Sequence, residues 1–250
     1  MIKVVLLGAG NVACHLARAL SSAKHIDLVQ RYSRDHKNNI LFDPNIPLTT
    51  KLDELEMADV YIIAINDDAI EAFSENVSQL KGLVVHTSGS IPMMAIHKNL
   101  RKGVLYPVQS FSKERSINLR SVPFALETEF SEDNILLTEL AASISDHIFQ
   151  VSSEQREKLH VSAVFANNFS NYMYLTAKDI CDQNQLPFEI LKPIIIETAQ
   201  KIMTMDPMIA QTGPARRKDK KVIERHLSSL KNENKEIYAV LSEAINKRFQ

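Results

Sequence analysis

The sequence predicts a doubly wound α/β fold with a mostly parallel sheet, followed by an all-helical C-terminal domain. Three observations carry this. Short apolar runs alternate with helical patterns as far as residue 151, as strands joined by crossover helices do. Val60-Tyr61-Ile62-Ile63-Ala64-Ile65 is apolar throughout, as expected of a strand buried on both faces of a parallel sheet. From Ser153 onward strand patterns give way to helical periodicity.

Each element has its own signal. Lys3 to Leu7 reads as a first strand, broken by Gly8-Ala9-Gly10. Val12, Leu16, Ala19, Leu20 and Ala23 then recur on one face of a helix. Further strands are expected at 26–32, 48–50, 60–65, 83–87, 103–106, 124–126 and 148–151, with a helix near 134–145. The division between domains is expected at 152/153, giving a dinucleotide domain over 1–152 and a helical substrate and dimerisation domain over 153–250. Residues 154–181 hold few helix breakers and are apolar nearly all round in the middle, so this helix is expected to be buried on several sides. Pro187 and Pro193 suit helix starts, and Asp219 suits an N-cap. A last helix is expected over 234–249. A helical domain of roughly 100 residues has a thin core alone, so a homodimer through these helices is expected.

Composition narrows the function. With 45% hydrophobic and 24% charged residues and a net charge of −1, the 250-residue chain offers no electrostatic case for nucleic acid or anionic membrane. No apolar run approaches the ~20 residues of a membrane span. The two cysteines, Cys14 and Cys181, suit no zinc site. They fit buried thiols in a reducing compartment. With Met1 against the first strand, no leader peptide is expected, and the location is expected to be cytoplasmic.

The opening glycines point to a ligand. A strand that turns at Gly8 and Gly10 into a helix can cradle a pyrophosphate. The first glycine makes the turn, the second lets the backbone approach the phosphates, and Ala13 stands where a third glycine is often found. Gly8, Gly10, Asn11 and Val12 are therefore expected at a dinucleotide. An NAD-selective site wants a carboxylate ~20 residues after the glycines. The sequence instead offers Gln30-Arg31-Tyr32-Ser33-Arg34, then Asp35. Guanidinium and hydroxyl groups hold a 2′-phosphate, each charge-assisted bond adding roughly 1.5–3 kcal/mol. The cofactor is therefore expected to be NADP, with Ser33 and Arg34 as phosphate ligands; both also fit a solvated loop. Ligands in open sheets sit beyond the carboxyl ends of the strands. This places Asn66, Asp67 and Thr87 near the cofactor, and His86, Ser88 and Gln109 nearer the substrate.

Assembled, these segments resemble a known group. Gly8-Ala9-Gly10-Asn11-Val12-Ala13, His86-Thr87-Ser88-Gly89-Ser90, Tyr106-Pro107-Val108-Gln109-Ser110-Phe111 and Thr212-Gly213-Pro214-Ala215-Arg216-Arg217-Lys218-Asp219 look like a bacterial Rossmann-like family with a C-terminal helical domain of unknown function. It is related to pyrroline-5-carboxylate reductase, ketopantoate reductase and the deazaflavin-dependent NADP reductases. The resemblance implies an NADP-type cofactor and a helical dimerisation domain, and no particular substrate. Ketopantoate-type relatives carry an asparagine four residues after a lysine; here Lys158 is followed at that spacing by Ser162.

Hydride transfer belongs to the cofactor, and the protein must orient the substrate and move a proton. His160 and Asn167 stand two α-helical turns apart, hence on one face. They are expected as proton donor and orienting amide in a cleft between the domains, with Lys158 as second choice of donor. A hydrogen-bonded core histidine fits His160 as well. The basic loop before Asp219, led by Arg216, and His226 beyond it would suit a carboxylate or phosphate on the substrate. A solvated loop and a core histidine fit these equally. The expected function is an NADP-dependent oxidoreductase moving a hydride to or from a small carbonyl or imine acid. The alternative is a non-catalytic NADP-binding or sensing protein.

Overall fold

The computed structural model describes residues 1–35 and 45–249. Their strands form one eight-stranded sheet: β1 (Ile2–Leu7), β2 (Ile26–Tyr32), β3 (Leu48–Thr49), β4 (Val60–Ile63), β5 (Leu83–His86), β6 (Arg101–Pro107), β7 (Phe124–Thr128) and β8 (Ile148–Gln150). The order is β3-β2-β1-β4-β5-β6-β7-β8. All neighbours pair parallel except β6 and β7, which are antiparallel. The chain leaves β1 for one side and returns for β4 on the other. This reversal opens a crevice at the carboxyl ends of β1 and β4, where Leu7 lies beside Ile63 and Ile63 beside His86.

Two apolar layers hold the sheet. Val4 and Leu6 face α1 (Asn11–Ser22), which contributes Leu16 and Leu20 to that layer. Val5 and Leu7 face the other way, towards Ile70, which opens α2 (Ile70–Glu75). All four β1 side chains are fully buried, each contributing roughly 1.5–3 kcal/mol. The helix α3 (Ser131–Ile144) adds Leu137 and Leu140 to the first layer.

The helical remainder begins with α4 (Ser153–Ala163), fixed by a capping box. Ser152 Oγ accepts from the Gln155 amide at 3.2 Å, and Gln155 Oε1 accepts from the Ser152 amide at 2.9 Å. A π-helical stretch, Val164–Phe169, follows without a break and passes into α5 (Ser170–Gln183). Then come α6 (Lys192–Thr204), with Pro193 in its first turn, α7 (Pro207–Ala210), α8 (Lys220–Ser229) and α9 (Asn232–Arg248). The chain forms two compact units, 1–168 and 169–250. α4 therefore belongs with the sheet, although the secondary structure changes character where the sequence pattern does.

One expectation needs correcting. The apolar middle of 154–181 is not enclosed: Val161, Phe165 and Phe169 are exposed by 48%, 66% and 49%. Apolarity on all sides reports a surface that must be covered, not what covers it.

Candidate functional site

The glycine turn meets strict geometry. Gly8 has φ +137°, and a Cβ there would lie 2.1 Å from the Ala64 carbonyl oxygen. Only glycine fits. Gly10 is different: a Cβ there would meet nothing closer than 4.0 Å. The protein leaves that space open where a ligand's phosphates would come. Gly10 is also the N-cap of α1, with no side-chain cap and no acid in the first turn. The amides of that turn thus face outward, at the positive end of the helix dipole. These features fit a dinucleotide pyrophosphate.

A cavity of about 760 Å³ opens from this turn. All nine residues expected at the cofactor line it: Gly8, Gly10, Asn11, Val12, Ser33, Arg34, Asn66, Asp67 and Thr87. Their roles differ in detail. The Asn11 side chain is turned away to the Phe111 carbonyl, 2.9 Å distant. Ser33 is buried, and its hydroxyl donates to the Asp35 carbonyl at 3.0 Å, so it shapes the loop that presents the exposed Arg34. Asp67 Oδ2 accepts from Ser88 Oγ at 2.8 Å and Ser90 Oγ at 2.7 Å, tying the end of β4 to the loop after β5. Asp35 and Lys113 also line the cavity.

The groups expected at the substrate separate. Ser88 Oγ accepts from the amides of Ser90 and Ile91 at 3.1 and 3.0 Å, so it is committed to the turn. His86 is fully buried. Its Nδ1 accepts from the Ser88 amide at 3.2 Å, which leaves the ring proton on Nε2, on the side of the Pro92 backbone. Burial, reinforced by the Arg156 guanidinium, pushes its pKa down to about 4. It is a neutral core residue. Gln109 is exposed, and its Oε1 accepts from the Ser110 amide.

His160 and the β5 loop come together. His160 Nδ1 lies 3.2 Å from the Tyr106 hydroxyl, and the two rings meet edge to face at 6.0 Å. Both close over Gly89, where a Cβ would lie 2.6 Å from Nδ1 and 2.7 Å from Tyr106 Cζ. Burial raises the Tyr106 pKa, which keeps the phenol protonated. One turn earlier on α4, Arg156 is 1% exposed. Its Nη1 donates to the carbonyls of Ser88, Gly89 and Ile91 at 3.1, 3.2 and 2.7 Å. Nη2 donates to Glu127 Oε2 at 3.1 Å and Ser153 Oγ at 3.2 Å. This guanidinium holds the loop that Asp67 braces from the cofactor side. Sequence reasoning missed Arg156 and Glu127 and gave Tyr106 and Gly89 no role beyond their motifs; the i, i+4 spacing of Arg156 and His160 was the available signal.

Asn167 and Lys158 are exposed. Asn167 lies in the π-helical stretch, whose i→i+5 winding breaks the α-helical phase that put it on the face of His160. In the second unit, the residues expected at a substrate anion have structural partners. Arg216 donates to the Met208 carbonyl at 2.7 Å and stacks 4.5 Å over the Phe249 ring. Asp219 Oδ1 caps α8, accepting from the Val222 amide at 3.2 Å. His226 Nδ1 lies 2.8 Å from the Tyr238 hydroxyl, joining α8 to α9.

A family described as Domain of unknown function (DUF2520) matches residues 122–245. A candidate NADP oxidoreductase from Bacteroides fragilis, known as a crystal structure, is 37% identical, with 98% of each chain covered and a TM-score of 0.90. The chain belongs to this family of Rossmann-fold proteins. A Thermotoga maritima protein is 19% identical over 98% of each chain, with a TM-score of 0.75. A Plasmodium falciparum pyrroline carboxylate reductase, solved with NADP bound, is 13% identical over 98% of each chain, with a TM-score of 0.63. These two likenesses show the fold. No curated protein matches the chain.

Proposed function

We propose that this family member is an NADP-dependent oxidoreductase acting on a small carbonyl or imine acid. The observation that carries the reading is the open space at Gly10 above the uncapped start of α1, in a cavity lined by the residues a dinucleotide needs. The 37% identical relative is described as a candidate NADP oxidoreductase, which supports the same class. The first-turn amides of α1 would hold the pyrophosphate, and Arg34 the 2′-phosphate that selects NADP.

When bound, the nicotinamide supplies or accepts the hydride. The chain's own work is proton transfer and orientation. His160 is the proton donor, with Tyr106 fixing its ring through Nδ1. The phenol oxygen accepts from Nδ1–H of the imidazolium, and still does once Nε2 has given up its proton. Arg156 holds the Ser88–Ile91 backbone against which both rings rest.

A second copy of the chain is the expected partner. Among the described residues after 168, only Cys181 and Ala215 are buried, while Ile190, Ile194, Met203 and Ile209 are each more than 60% exposed. This many exposed apolar side chains support an interface with a second copy. Light scattering at micromolar concentration should give twice the chain mass. The buried free thiols of Cys14 and Cys181 suit a reducing cytoplasm, and no described helix is long and apolar enough to cross a membrane.

Thermal shifts with NADPH, NADH and neither test the cofactor; NADPH should stabilise the protein more than NADH. NADPH oxidation across keto and imino acids tests the reaction. His160→Asn should abolish turnover and spare NADPH binding, and retained turnover would remove His160 from the mechanism. Tight NADPH binding without turnover on any such acid would favour a sensor.

A further inference from the structure

We infer that Lys113 is a ligand of the dinucleotide's pyrophosphate, carried to the glycine turn by a strap folded over the start of α1. The inference rests on the dinucleotide reading above and adds a residue to it. Lys113 lies in the connection between β6 and β7, a hundred residues from the turn, yet it lines the same cavity as Gly8 to Val12.

Three contacts bring it there. Asn11 Nδ2 donates to the Phe111 carbonyl at 2.9 Å. Nε2 of the buried His15, one turn further along α1, lies 3.0 Å from the Ser112 carbonyl. The His15 and Phe111 rings pack with centroids 5.0 Å apart. Residues 111 and 112 are thus pinned to the first two turns of α1, and Lys113 is the next residue. The first-turn residue Cys14 feels its charge: among the charges lowering the Cys14 pKa against burial, Lys113 is the largest.

Lys113 is half-buried and has no ion pair or hydrogen bond among the described residues. Lys113 lines the cavity into which the positive end of the α1 dipole opens, and two positive groups around one space repel without an anion. A diphosphate between the two relieves that repulsion and satisfies both sets of donors. The attachment to α1, rather than to the Ser33–Arg34 loop after β2, selects the pyrophosphate over the 2′-phosphate.

The two phosphates can be told apart by titrating NADPH and NADH, followed by fluorescence, into the full-length protein and three variants. Lys113→Gln should weaken both nucleotides by the same factor, about tenfold, while its unliganded melting midpoint is no lower than that of the wild type, since a repulsive charge has been removed. Lys113→Arg should retain most of the affinity for both. Arg34→Gln should weaken NADPH alone. Unchanged affinities in Lys113→Gln would overturn the assignment, and so would a loss confined to NADPH, which would move Lys113 to the 2′-phosphate. If the wild-type protein bound neither nucleotide, the dinucleotide reading itself would fall.

Discussion

Replacing Arg156 with Met keeps the length of the buried stem and removes the guanidinium. Glu127 then loses its ion-pair partner, and the carbonyls of Ser88, Gly89 and Ile91 lose their donor. Removing one member of a buried pair costs about 3–5 kcal/mol. For a protein of this size that corresponds to a fall in melting midpoint of about 8–16 °C, taking roughly 4 kcal/mol at 2–4 °C each. Arg156→Lys keeps the charge but cannot span three carbonyls and a carboxylate, because it lacks the planar fork; its loss should be about half as large. Combining Arg156→Met with Glu127→Met should restore part of the stability, since no carboxylate is then left stranded. Thermal and urea unfolding followed by circular dichroism would measure the series. The same loop braces Asp67 through Ser88 and Ser90, so NADPH affinity should fall with stability in Arg156→Met. A loss below about 1 kcal/mol, the size expected of a surface ion pair, would refute the claim that Arg156 anchors the loop.

Two further outcomes are expected. Gly8→Ala should destabilise the fold by about 3–5 kcal/mol through strain and overlap with Ala64, whereas Gly10→Ala should leave the unliganded melting midpoint almost unchanged and abolish NADPH binding; equal effects on stability would contradict the separate roles of the two glycines. His86 is held neutral down to about pH 4, against its ordinary 6.5, so between those values the unfolded chain binds a proton that the folded chain refuses. Its contribution is therefore complete above pH 6.5 and is lost as the pH falls towards 4, about 3 kcal/mol in all; urea midpoints of wild type and His86→Gln between pH 4 and 7 should diverge in slope, and parallel curves would exclude His86 as the cause.

The sheet was legible because burial on both faces leaves a strong mark: Val60–Ile63 and Leu83–Val85 stand as unbroken apolar runs. The glycine turn was legible because backbone geometry restricts residue choice at Gly8. The surroundings of His160 were not. Arg156 looks like any charged residue near the start of a helix, and only the packing of α4 on the sheet reveals that it is enclosed. The π-helical stretch has no periodic signature, and only a regular α-helix would set Asn167 on the face of His160. The Arg216, Asp219 and His226 cluster shows the converse: residue types that suit an anion serve equally as a stack, a cap and a hydrogen-bonded histidine. Lys113 stayed hidden because nothing in its neighbours announces that Phe111 and Ser112 are fastened to α1.

Gly89 has a consequence for how this fold can change. The space a methyl group would need there is filled by His160 Nδ1 and Tyr106 Cζ, contributed by a helix and a strand far apart in sequence. The three positions therefore behave as a single variable during divergence. A lineage that gains a side chain at 89 must move or shorten the side chain at 160 or 106, the pair proposed above for proton transfer. Joint substitution at these three positions among relatives would mark where the chemistry has changed hands.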